Sequence, residues 1–143
     1  MWIFTDSGFL SIVQDTAMPG HLLVRARVRR DLKDFILTYC TLYDEELPIL
    51  ETPDRDYRYR VSVRAPRVGE ILEMLITSID YSNFKNRVHD VDPDPRRSIA
   101  YTQVWTAMMQ FQEDLHPEPV KPTKNVKVWY GKKEVKRRKR NRR

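Results

Sequence analysis

"HLLVRARVRRDLKDFILTYC", His21 to Cys40, changes its hydrophobic period half-way along, and that change decides the fold. Leu22, Val24, Ala26 and Val28 alternate with Leu23, Arg25 and Arg27, the pattern of a strand with one face turned to a core. Leu32, Phe35, Ile36 and Tyr39 then recur at helical spacing. An amphipathic helix over 30–40 is therefore expected to lay its apolar stripe on a sheet. The same succession returns further on. In "YRYRVSVR", Tyr57 to Arg64, the alternation puts Tyr57, Tyr59, Val61 and Val63 on the core side and Arg58, Arg60, Ser62 and Arg64 on the other. Pro66 suits the first turn of a helix, where its missing N–H costs nothing, and Val68, Ile71, Leu72, Leu75 and Ile79 mark the buried stripe of that helix.

Shorter signals fill the gaps. "MWIF" and "FLSIVQ" read as strands of a hairpin joined by "TDSG", in which Gly8 can supply a positive φ. "LPILETP" is a short strand between Pro48 and Pro53, and "DYSNFKN" a turn into a short helical piece. Asp94 is placed to cap a last helix that opens at Pro95, buries Tyr101, Val104, Trp105, Met108 and Phe111, and ends near Leu115. "HPEPVKP" carries too many prolines for helix or central strand and reads as an extended linker. Three strands, a helix, two strands and further helices imply an α+β fold, an antiparallel sheet with helices packed on one face. A ferredoxin-like arrangement fits, permuted or extended by the N-terminal hairpin. The expected organisation is a globular domain at 1–115, a Pro-rich linker at 116–125 and a basic flexible tail at 126–143.

"MWIF" with "GFLSIV", "LLVRARVRRDL", "ETPDRDYRYRV", "IDYSNFKN" and "YTQVW" resemble a family of small bacterial and phage proteins. The resemblance covers about residues 1–113 and leaves the linker and tail unmatched. It implies a bacterial or phage setting and brings no activity, cofactor or catalytic residue.

The net charge of +6 is unevenly distributed. Residues 121–143 hold 12 Lys or Arg and one acid, Glu134, for +11; the remaining 14 basic and 19 acidic residues leave 1–120 at −5. The run "KKEVKRRKRNRR" over 132–143, with almost no apolar residues, cannot form a core and is suited to polyanions. Lys132, Lys133, Lys136, Arg137, Arg138, Lys139, Arg140, Arg142 and Arg143 are its candidate phosphate contacts, and Trp129 and Tyr130 could stack on exposed bases. Cys40 is the only cysteine, which fits a reducing compartment. With no basic leader and no apolar run long enough to span a bilayer, a cytoplasmic protein is expected.

On the sheet, Arg25, Arg27, Arg58, Arg60 and Arg64 are expected to point away from the helices. That face is either a platform for single strands or, given Glu51, Asp54 and Asp56 close by in sequence and the net charge of −5, a salt-bridged solvated surface. The balance of charge favours the second. "DYSNFKNRVHD" gathers Tyr81, Asn83, Lys85, Asn86 and His89, enough for proton transfer but without a visible second base. Structural roles in the turn are the expectation there. Asp90, Asp92 and Asp94 alternate like a calcium loop, yet Pro95 and Tyr101 occupy the positions that need glycine and a bidentate acid. His21, His89 and His116 are far apart, so neither a metal nor another cofactor is expected. The sequence points to nucleic acid as the partner, DNA and RNA undistinguished. A homodimeric or heterologous protein-interaction module with a solubilising tail is the alternative, and a metal-independent nuclease the third.

Overall fold

The computed structural model describes residues 1–116, together with the strand backbones at 128–130 and 133–135. Five strands, β1 (Trp2–Phe4), β2 (Phe9–Gln14), β3 (His21–Ala26), β4 (Leu50–Glu51) and β5 (Tyr59–Arg64), form one sheet in the order β1-β2-β3-β5-β4, with every neighbour antiparallel. The helices are α1 (Arg29–Tyr43), α2 (Ala65–Thr77), α3 (Phe84–Val91) and α4 (Pro95–Leu115). Because β3 and β4 both run against β5, the path β3-α1-β4 is a crossover between parallel strands with β5 inserted afterwards. The inner order β2-β3-β5-β4 is thus the ferredoxin-like one, with the strand that would come last supplied from the N-terminal side and β1 added at its edge.

α1 and α2 cover one face. Leu10 and Ile12 of β2, Val24 and Ala26 of β3, and Val61 and Val63 of β5 meet Leu32, Phe35 and Tyr39 of α1 and Val68 and Ile71 of α2 in one core. The strands alternate and the helices keep a 3.6-residue period, so one residue in two and one in three or four reach the same layer. Pro66 sits in the first turn of α2 as expected. Val28 and Ile79 fall beyond the ends of their elements and are exposed.

Three further expectations are corrected. Gly8 has no positive φ; among the described residues only Gly20 (φ 81°) and Asp44 (φ 51°) do. Gly8 is needed for space, since a Cβ there would stand 2.9 Å from Asp31 Cβ. Tyr57 is buried but lies outside the helix-covered core, because β5 starts only at Tyr59 and the turn before it breaks the alternation. Val104, Trp105, Met108 and Phe111 are not buried: they remain 42–59% exposed, and α4 adds no residue to the core that α1 and α2 close.

The chain divides into two compact units, Met1–Gln103 and Val104–Arg143. The first holds the sheet and its helices. In the second, β6 (Val128–Tyr130) and β7 (Lys133–Val135) form an antiparallel ladder within the stretch expected to be a flexible tail. No helix among the described residues is long and apolar enough to cross a membrane.

Candidate functional site

The face of the sheet opposite α1 and α2 carries Ser11, Arg25 and Arg60 as cross-strand partners in one row. Arg25 donates to Ser11 Oγ at 2.8 Å, and its guanidinium lies 4.6 Å from the centre of the Tyr57 ring. Arg27, two residues along the same face, stands 4.7 Å from that centre and donates to the Asp56 carbonyl at 2.8 Å. Arg60 donates to the Tyr57 carbonyl, also at 2.8 Å. Two guanidiniums therefore stand over one aromatic ring, 3% exposed, a third reaches the same residue's carbonyl, and the three are held by two carbonyls and one hydroxyl. Phe9 packs against Tyr57 from β2, with centroids 6.4 Å apart.

Among the described residues no carboxylate comes within 4.0 Å of Arg25, Arg27 or Arg60. Nε of Arg25 and Nε of Arg60 are moreover buried without a hydrogen-bond partner. Like charges directly opposite across a ladder destabilise it, by about 0.2–1 kcal/mol for exposed pairs, and an unmade buried hydrogen bond adds to that cost. The salt bridging expected from the nearby acids is formed at Arg58 but not at Arg25, Arg27 or Arg60. Glu51 pairs with Arg58 at 2.7 Å, and the Asp56 carboxylate instead caps its own turn through the Tyr57 N–H. Sequence proximity of the acids gave the wrong expectation because the turn over 52–58 directs its carbonyls, not its carboxylates, at the arginines.

Of the other candidates, Arg58 is thus occupied, and Arg64 stands exposed at the far end of β5 opposite His21. Trp129 and Tyr130 fall on β6 and Lys133 on β7. Lys132, Lys136, Arg137, Arg138, Lys139, Arg140, Arg142 and Arg143 lie outside the described residues. Trp2 was not foreseen. It is the β1 partner of Ser11, so it extends the row Ser11-Arg25-Arg60 to the sheet edge, and it is 68% exposed. The available signal was Ser11 itself, a polar residue between Leu10 and Ile12 that fixes which side of the hairpin faces away from the core.

The segment Tyr81–His89 takes the structural roles expected of it. Asn83 caps α3 by accepting from the Asn86 N–H at 3.1 Å, Phe84 stacks on Tyr101, and Arg87 reaches Asp6 at 2.8 Å. The alternating aspartates are used locally too. Asp94 caps α4 through the Arg96 N–H, and the Arg96 guanidinium pulls its carboxyl down to about 2. Asp92 is buried; Arg97 on one side and the Asp94 N–H on another hold its carboxyl below the usual range against the opposing effect of burial. No group of three metal-binding side chains occurs among the described residues. No family model, curated protein or solved structure matches the chain.

Proposed function

We propose that this protein binds nucleic acid through phosphate contacts, the basic C-terminal run supplying most of the affinity and the arginine face of the sheet a second, structured contact. The observation that carries the reading is the trio Arg25, Arg27 and Arg60, held in place without a carboxylate. A guanidinium already fixed by ring and carbonyl loses little freedom when it meets a phosphate, and its remaining N–H groups suit bidentate binding. The −5 charge of residues 1–120 makes that face weak by itself, which is why the +11 of the tail is needed. The bacterial or phage cytoplasm is the setting that goes with this reading.

The test is binding of labelled oligonucleotides by the full chain in a salt series. If about six phosphates are contacted, affinity falls roughly a thousandfold between 50 and 200 mM salt. Absence of binding even in dilute buffer removes the proposal. A second reading, a protein-interaction module, draws on β1, the outermost strand of the sheet, with Met1 and Trp2 exposed beside it. It predicts a partner or a second copy that is bound equally well at high salt.

A further inference from the structure

Resting on that reading, we infer that the arginine face takes a single strand laid across the β-strands, with one base stacked on Trp2 and a neighbouring phosphate between Arg25 and Arg60. Trp2, Ser11, Arg25 and Arg60 come from four successive strands in one register row. Strands are about 4.8 Å apart, so the Trp2 backbone stands roughly 10 Å from the Arg25 backbone, a span on the scale that a nucleotide bridges between its base and an adjoining phosphate. Between them lies Ser11, fully buried and bonded to Arg25, so it offers the strand no contact of its own and leaves Trp2 and the arginines to hold it.

The indole is suited to stacking. Its contact with Phe9 is T-shaped, with centroids 5.8 Å and planes 79° apart, and so occupies at most one face of the ring. Phe9 is in turn stacked on Phe4 at 4.6 Å, which fixes the support beneath. With 68% of Trp2 exposed, the other face is open. At the arginines, the electrostatic cost of two unneutralised guanidiniums on opposite positions is relieved by one phosphate between them. A duplex offers the same phosphates but keeps its base faces inside its own stack, so it can use the arginines and not the tryptophan. An inorganic phosphate, likewise, can use only the arginines. Single strands alone satisfy the whole row.

The experiment uses the full chain at physiological salt with four probes: a single strand about ten nucleotides long, its abasic counterpart, the corresponding duplex, and inorganic phosphate as competitor. Trp2→Ala should weaken the base-bearing strand about fivefold or more and leave the abasic strand and the duplex within about twofold. Trp2→Phe should restore most of the loss, and Arg25→Gln with Arg60→Gln should weaken base-bearing and abasic strands alike. The inference is overturned if Trp2→Ala changes nothing, if it weakens the abasic strand as much, or if inorganic phosphate displaces no strand while the double arginine variant binds normally. Those results leave nucleic-acid binding itself standing. If no oligonucleotide binds at all, both readings fall together.

Discussion

An alanine at position 8 would bring its Cβ within 2.9 Å of Asp31 Cβ and 3.1 Å of Asp31 Cα, and since the second of these is backbone, a rotamer change cannot relieve it. The strain falls on a working contact. Asp31 accepts the Phe9 N–H at 2.9 Å and so pins the start of β2 to the start of α1. Gly8→Ala should destabilise the protein by about 1–3 kcal/mol, read as a shifted urea midpoint. Gly69, inside α2, has open space round its missing side chain. Gly69→Ala should stabilise by about 0.5–1 kcal/mol, the difference in helix propensity, in the same titration. A Gly8→Ala variant as stable as the parent would show that the hairpin turn shifts freely, and with it the side of the sheet to which Trp2 is assigned.

Where α3 passes into α4, the chain is tied to the sheet by charge. Arg97 donates to Asp31 and to Asp92, each at 2.6 Å; both aspartates are buried and the arginine side chain is 11% exposed. Burial opposes the charge of the guanidinium, but the two carboxylates outweigh it and hold Arg97 more basic than usual. Arg97→Leu leaves Asp31 buried without its cation and Asp92 with only the longer 3.4 Å contact to Arg30, and should cost about 3–5 kcal/mol, seen as a lower thermal midpoint. Asp92 sets a pH dependence. Its pKa is depressed in the folded state, so its contribution is complete above the unfolded value of about 3.9 and is lost as pH falls through the lower folded value. Asp92→Asn should therefore flatten the fall in thermal midpoint below about pH 4; an unchanged slope would mean that another carboxylate governs acid unfolding. This junction was only partly legible in the sequence. The Asp94 cap, Pro95 and the end at Leu115 follow from local chemistry, which a helix cannot avoid. The destination of Arg97 depends on residues 66 positions away, which no local pattern encodes.

At the scale of the whole molecule, periodicity carried the fold because each strand and helix has to reach the same layer, and Val24, Val61, Leu32 and Ile71 announce that layer by spacing alone. The site was harder to read, since it is made of exceptions: Tyr57 leaves the alternation of β5, and Glu51, Asp54 and Asp56 form no ion pair with Arg25, Arg27 or Arg60. What sequence did convey is the separation of charge, +11 in residues 121–143 against −5 in the rest. That separation makes a quantitative prediction about how two contacts share one ligand. Each phosphate neutralised on a single strand contributes about −0.7 to the slope of log K against log salt. With one phosphate shared by Arg25 and Arg60 and a second at Arg27, the sheet should then give a slope of about −1.4, and every engaged tail cation steepens it. Replacing the cations of 136–143 with glutamine in the full chain should bring the slope down toward about −1.4 while keeping the sensitivity to Trp2→Ala, because the stacked base releases no counterion. Replacing Arg25 and Arg60, which share one phosphate, should instead reduce the steep slope by only about 0.7. A slope that stays steep without the tail cations would place the main phosphate contacts on the sheet, and one that vanishes with the two arginines would leave the tail no part in binding.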